Sequence, residues 1–384
     1  MSEKLPEGWK RVKLGEVAIV NPSEILKKGT LAKEVPMEAL QPFTKKIYTY
    51  QIGLYNGGAK FRNGDTLVAR ITPSLENGKT AYVDILEDNE IGFGSTEFIV
   101  LREKKGITDS HFLYYFAISP DFRDVAIKSM TGSSGRQRVQ TDVVLSYEFL
   151  FPPLPEQKAI ASVLSSIDDK IDLLHRQNQT LEQMAETLFR KWFIEDAKDD
   201  WEEVNLKDIY IFEKGFEPGS KNYIEEQLPD TVRFIRVGDL LDDKGNTFIK
   251  KDIAKMLCKK EDLLMSFDGT VGRINFGLEG AFSSGIRKIY SKNSVFDNLG
   301  LKYLIFKSKD IQDLINAHSS GTVILHASSS IDYLTFSFPK DEEYIREFNK
   351  LIDPIFNKIL KNKEQIQTLE NLRDTLLPKL MSGE

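Results

Sequence analysis

The sequence predicts an α+β protein built twice: two mixed α/β units, each followed by a long helix, the two helices pairing as an antiparallel coiled coil with pseudo-two-fold symmetry. Three observations carry this prediction. The second half of the chain echoes the first at an offset of roughly 190 residues. Two long stretches space their apolar residues alternately by three and four. A proline-bearing segment precedes each stretch. These place unit one at 1–153, the central helix at 154–195, unit two at 196–340 and the C-terminal helix at 341–384.

The repeat rests on several weak matches in one common order. Trp9-x-x-Val12-x-Leu14-Gly15-Glu16-Val17 returns as Trp201-x-x-Val204-x-Leu206-Lys207-Asp208-Ile209. Asp65-Thr66-Leu67-Val68 corresponds to Asp262-Leu263-Leu264-Met265, and Leu113–Phe116 to Lys302–Ile305. The turn Thr131–Ser134 corresponds to Ser319–Thr322, and Phe151-Pro152 to Phe338-Pro339. Within each unit, short β-type runs come first: Thr66–Arg70, Lys79–Ile85 and Glu97–Leu101, then Leu263–Phe267, Arg273–Phe276 and Ile286–Tyr290. Two short helical patterns follow in each, near Ser110–Ile118 and Asp121–Met130, and near Asn298–Phe306 and Asp310–Ala317.

The long helices are the clearest local signal. Ile160, Leu164, Ile167, Ile171, Leu174, Asn178, Leu181, Ala185, Leu188 and Trp192 form a heptad seam. Pro152-Pro153-Leu154-Pro155 blocks helix upstream, and Glu156 falls in the first turn, where a carboxylate suits the helix dipole. The second seam reads Ile345, Phe348, Ile352, Ile355, Ile359, Asn362, Ile366, Leu369, Arg373, Leu376 and Leu380. Pro354 inside it marks either a kink or the true helix start. Each seam holds one interior asparagine, Asn178 and Asn362. They are either tolerated polar residues or a pair that sets the register of an antiparallel coil, with Ile160 opposite Leu380 and Leu188 opposite Ile352. A helix of about 38 residues is about 57 Å long, so an antiparallel pair would carry the units at opposite ends, as in a dumbbell. Leu173, Met184, Phe189, Leu372 and Leu377 lie off the seam and are expected to be exposed for partners.

Composition sets the class. An apolar fraction of 41% and a charged fraction of 29% are those of a globular protein. No apolar run is long enough to span a bilayer, and Met1-Ser2-Glu3-Lys4-Leu5-Pro6 is not a secretory signal. The single cysteine, Cys258, rules out an intramolecular disulfide framework and fits a reducing cytosol. The net charge of −6 argues mildly against free-standing DNA binding. It argues less against a subunit whose partners share the phosphate contacts. The charge is also uneven, roughly +1 over residues 1–155 and roughly −4 over 196–341.

Signatures of catalytic chemistry are sparse. Asn77-Gly78-Lys79-Thr80 resembles the end of a phosphate loop, but Pro73 stands where the first glycine is needed, and a hairpin turn explains the segment. Gly92-Phe93-Gly94-Ser95-Thr96-Glu97 lacks the third glycine of a dinucleotide fingerprint. The four histidines, His111, His175, His318 and His326, form no zinc motif, and no nucleophile elbow or amino-methyltransferase motif occurs. No metal site and no cofactor bound by this chain are expected.

What remains is a set of polar and basic residues near turns. In unit one these are Lys60, Arg62, Arg70, Asn77, Lys79, Ser133, Ser134, Arg136, Gln137, Arg138 and Gln140. In unit two they are Thr270, Arg273, Arg287, Lys288, Ser320, Thr322 and His326. Arginine and glutamine can pair bidentately with guanine and adenine edges, and serine suits phosphate. The two sets occupy equivalent places with different side chains, so the two units would read different sequences.

With the repeat, the proline-led helix and the heptads in hand, the chain resembles the specificity subunit of type I restriction–modification systems. The strongest local match is Pro152-Pro153-Leu154-Pro155-Glu156-Gln157-Lys158-Ala159-Ile160, followed by Ile167-Asp168-Asp169-Lys170-Ile171. Leu5-Pro6-Glu7-Gly8-Trp9, Leu14–Val17 and the Trp192-Phe193 helix end are also similar. Unit two departs, with Phe338-Pro339-Lys340-Asp341-Glu342-Glu343 in place of the proline signature. The resemblance implies a non-catalytic, cytoplasmic prokaryotic protein whose units are target recognition domains, each reading one half of an asymmetric bipartite sequence in double-stranded DNA. It implies that the helices set the gap and dock two modification subunits, which bind S-adenosylmethionine and methylate adenine N6. Restriction subunits would bring ATP and Mg. Two alternatives stay open at this point: a self-contained nucleic-acid-modifying enzyme, and a coiled-coil protein adaptor.

Overall fold

The computed structural model describes residues 6–133, 135–243, 245–319 and 325–384. It divides into two compact units, residues 1–172 with 368–384, and residues 173–367. The division cuts across both long helices because their ends belong to the cores. Ile160, Ala161, Leu164 and Leu377 pack with Trp9, Phe112 and Phe151. Ala185, Phe189, Ile345, Phe348 and Ile352 pack with Leu206, Leu301 and Phe338.

In the first unit, Lys10–Lys13 pairs antiparallel with Glu148–Phe151. A four-stranded antiparallel sheet runs in the order Ala18–Val20, Phe98–Glu103, Thr66–Ala69, Thr80–Tyr82. Its central strand Thr66–Ala69 is buried throughout. Val68, with Ile99 and Leu101, faces the Ser110–Ile118 helix through Leu113 and Phe116. Leu67 and Val100 face the other way, against Val35, Phe61 and Ala81. Such a strand loses the polar/apolar alternation of a half-exposed one. A second sheet is ordered Gln51–Leu54, Leu31–Val35, Gly92–Gly94, Ala59–Phe61, with Leu31–Val35 and Gly92–Gly94 parallel.

The second unit repeats this plan strand for strand. Glu202–Asn205 pairs with Thr335–Phe338. One sheet is ordered Ile211–Lys214, Ile286–Tyr290, Leu263–Ser266, Ile274–Asn275; the other Phe248–Lys250, Thr231–Ile235, Gly280–Phe282, Leu257–Cys258, again with one parallel pair. The matched short helices start alike. Asp109 accepts the Phe112 N–H, and Asn298 accepts the Leu301 N–H, both at 3.0 Å. Each cap satisfies an N–H that the helix cannot.

The central helix covers Leu154–Arg190 and the C-terminal helix Glu342–Ser382. The helix runs through Pro354, so it does not begin there. Neighbouring Ile352 and Phe356 are buried in the core, which offsets the backbone hydrogen bond proline removes. The proline-led signature acquires a physical role. The Gln157 side chain, fully buried, donates to the carbonyls of Pro152 (2.9 Å) and Ile107 (3.1 Å) and accepts the Asp109 N–H (2.9 Å). Glu156 accepts the Trp9 indole N–H at 2.9 Å. Together they tie the helix start to the unit's entry strand and to the cap of its short helix.

Within each unit the two helices run antiparallel. In the second, Asn362 Nδ2 donates to Asn178 Oδ1 at 2.8 Å, the pairing expected from the seams, and Phe189 meets Phe348 further along. In the first, Arg373 forms a buried ion pair with Asp168 at 3.0 Å, and Asp168 also accepts the Tyr115 O–H at 2.7 Å. Two expectations fail here. Phe189 and Leu377 are not exposed: both are at most 5% accessible, because near the helix ends the globular cores cover a face wider than the seam. Leu173, Met184 and Leu372 are exposed, at 39–51%.

Candidate nucleic-acid interface

In both units the turn after the buried central strand meets the segment that follows the second short helix. In the first unit, Val139 N–H donates to Arg70 O (2.9 Å), Thr72 N–H donates to Gln137 O (3.0 Å), and Arg138 and Thr131 exchange backbone bonds. In the second, Ala327 N–H donates to Phe267 O (2.7 Å), and Asp268–Gly269 pairs with Leu325–His326. The chain therefore builds the same crossing twice, and different side chains decorate it.

The first crossing gathers Arg70, Asn77, Lys79, Ser133 and Arg136–Gln140. Asn77 and Gly78 turn the chain; Gly78 has φ +75°, and a Cβ there would stand 2.6 Å from the Phe43 ring, so only glycine fits. Lys79 Nζ donates to Met37 O at 3.0 Å. Arg138 forks onto Glu97 with contacts of 2.6 and 2.9 Å, and Arg70 Nε lies 3.8 Å from the same carboxylate. The Arg138 fork holds the Glu97 carboxyl below its ordinary range. Gln140 Nε2 donates to Thr131 Oγ1 at 2.6 Å. Ser133 and Arg136 are exposed, and the Arg136 guanidinium makes no hydrogen bond or ion pair among the described residues.

Lys60 and Arg62 are not part of this gathering. Lys60 donates to the Glu24 carbonyl, and Arg62 meets the Glu24 carboxylate at 2.6 Å. Arg102 bridges Glu24 to the buried Asp65. Glu24 neutralises the Arg62 charge and its backbone carbonyl ties down Lys60, both within the unit and both distant in sequence.

At the second crossing, Ser266 Oγ donates to Thr270 O (2.5 Å) and accepts the Arg273 N–H (3.0 Å), pinning the Thr270–Arg273 turn. Thr270 is exposed and Arg273 half-buried. Arg287 departs from expectation: it is 5% exposed, donates to Ser284 O (2.7 Å) and Ser328 Oγ (2.8 Å), and lies over the Phe267 ring. Burial pulls its pKa down. It is a brace behind the crossing rather than a surface contact. Lys288, on the alternate face of the strand, is paired with Glu213 at 2.7 Å. Ser134, Ser320 and Thr322 lie outside the described residues, as does the side chain of His326.

Sequence reasoning missed a cleft of about 810 Å³ beside the second crossing. Glu217, Tyr223, Arg236, Asn246, Asp268 and Ser284 are among its lining residues. The exposed Arg236 lies over the Tyr223 ring, 5.7 Å from its centroid. Its position, directly after the Thr231–Ile235 strand, is recognisable only once the parallel pairing with Gly280–Phe282 is known.

Elsewhere, burial pushes the Cys258 thiol up to about 12, away from the thiolate a nucleophile needs. Among the described residues, no cluster of His, Cys, Asp or Glu could hold a metal, and no helix is long and apolar enough to cross a membrane.

Comparison with known proteins agrees with the doubled architecture. The specificity subunit of the type I restriction enzyme MjaIX of Methanocaldococcus jannaschii is 26% identical over 309 residues, covering 73% of this chain and 70% of that protein. The EcoAI specificity subunit of Escherichia coli is 28% identical over 215 residues, 53% of this chain but only 36% of that protein. The crystal structure of a type I restriction–modification S subunit from M. genitalium shares the fold, with a TM-score of 0.57 at 19% identity over 98% of both chains. The model of the type I restriction modification DNA specificity domain matches twice, over residues 6–183 and 198–371, and the chain belongs to that family.

Proposed function

We propose that this protein is the DNA-recognition subunit of a type I restriction–modification complex, carrying no active site of its own. Each unit reads one half of an asymmetric bipartite target in double-stranded DNA, and the helix pair sets the gap between the halves and docks two modification subunits. S-adenosylmethionine belongs to those subunits, and ATP and Mg to the restriction subunits; the complex works in a prokaryotic cytoplasm.

The observation that supports this best is the crossing built twice on one strand order with unlike side chains. Arg136, Gln137 and Gln140 decorate the first, Thr270 and Arg273 the second. A duplicated scaffold with different reading residues suits two unlike half-sites. The test replaces residues 1–150 with those of a relative of different specificity and sequences the adenine methylation made by the reconstituted complex. One half of the motif should change and the other should not. A change in both halves, or in neither, would refute the division of labour.

A further inference from the structure

We infer that the cleft of the second unit reads one G·C base pair, Arg236 taking the guanine and Glu217 the cytosine. The inference rests on the DNA-recognition reading above and names residues for it. Arg236 is exposed, follows the strand Thr231–Ile235, and lies over the Tyr223 ring. Among the described residues its guanidinium makes no hydrogen bond or ion pair, so its fork of donors is available. Tyr223 O–H in turn donates to Glu217 Oε2 at 3.3 Å. Glu217 Oε1 is anchored by the Ser284 N–H (3.1 Å) and Oγ–H (2.9 Å). One tyrosine thus holds a donor fork on its face and a carboxylate at its hydroxyl.

The chemistry of the array selects its ligand. A guanidinium offers donors only and matches a pair of acceptors in one plane. A phosphate would supply them, but Glu217 and Asp239 also line the cleft, and their carboxylates repel it. In the major groove guanine presents N7 and O6, two acceptors, and its partner cytosine presents the N4 amino donor. A donor fork beside a carboxylate is the complement of that pattern. A·T and T·A pairs place an adenine amino group or a thymine methyl where the fork needs an acceptor.

Among the described residues the first unit shows no such array. There the corresponding strand Leu31–Val35 is followed by Pro36, and Lys79 occupies the Met37 carbonyl. The array would therefore act on one half-site only.

The experiment uses the complex reconstituted with its modification subunits. Wild type, Arg236→Ala and Glu217→Gln are compared by methylation sequencing. Arg236→Ala should relax one G·C position in the second half-site while the first half-site stays intact. Wild-type complex should also bind about tenfold more weakly when 7-deazaguanine, which lacks the N7 acceptor, replaces that one guanine. This leaves the protein untouched and decides the matter if a variant fails to assemble. A second half-site without a G·C pair, tolerance of 7-deazaguanine at every position, or uniform weakening on all sequences by Arg236→Ala would overturn the inference. Absence of any bipartite motif in the wild type would instead overturn the recognition reading beneath it.

Discussion

Replacing Arg373 with Met should loosen the first unit where it grips the end of the C-terminal helix. Arg373 and Asp168 have side chains only 7% and 8% exposed and lie 3.0 Å apart. Burial alone would lower the Arg373 pKa, but the Asp168 carboxylate and the other anionic neighbours outweigh it and hold the guanidinium charged. Without the arginine, Asp168 keeps the Tyr115 O–H at 2.7 Å but loses its countercharge. Breaking a buried pair in this way costs about 3–5 kcal/mol. Lys45, bonded to Ser165 Oγ at 2.7 Å, is another cation near this carboxylate, which places the cost toward about 3 kcal/mol. The double change Asp168→Asn/Arg373→Met removes both charges and leaves Tyr115 an acceptor, so it should cost about 1 kcal/mol. Hydrogen exchange of the full chain measures this directly. Since a tenfold change corresponds to about 1.4 kcal/mol, the slowest amides of residues 160–171 should exchange about a hundredfold faster in the single variant, and most of the protection should return in the double. A double variant as fast as Arg373→Met would refute the reasoning.

Other outcomes follow from the same geometry. Asn178→Leu alone leaves the fully buried Asn362 amide unpaired and should destabilise the second unit by about 1–3 kcal/mol, whereas Asn178→Leu/Asn362→Leu should be neutral or stabilising in denaturant melts but admit more than one register in disulfide cross-linking. Glu97 lies below its ordinary 4.5 in the folded chain, so its contribution is complete above that pH and is lost as pH falls through the lower folded value; Glu97→Gln should flatten that acid limb of a stability-against-pH curve. Inserting one heptad in both long helices lengthens each by about 10 Å, and the unspecified gap in the methylated motif should grow by about three base pairs with both halves unchanged. An active complex with an unaltered gap would contradict the spacer role.

Much of this was legible because it repeats or is periodic. The heptads located both helices, and two asparagines at matching seam depth predicted their hydrogen bond. The second sheet of each unit was not legible. Its inner strands Gly92–Gly94 and Gly280–Phe282 are three residues long, contain glycine and pair in parallel, so they show no alternation. Arg373 occupied an apolar seam position, and its partner Asp168 sits one residue off the other seam; sequence spacing does not show that two such charges meet. Lys60, Arg62, Arg287 and Lys288 looked like surface cations because Glu24, Ser328 and Glu213, their partners, are far away in sequence. Arg236 was overlooked for the complementary reason: nothing local distinguishes an arginine after a strand until the cleft around it is formed.

Whether this chain directs a modification partner to its target is decided by methylation sequencing of DNA from a host without other adenine methyltransferases, expressing the two together. Adenine methylation is expected at one asymmetric bipartite motif, absent when either protein is omitted. Methylation by the partner alone, or by this chain alone, would contradict it.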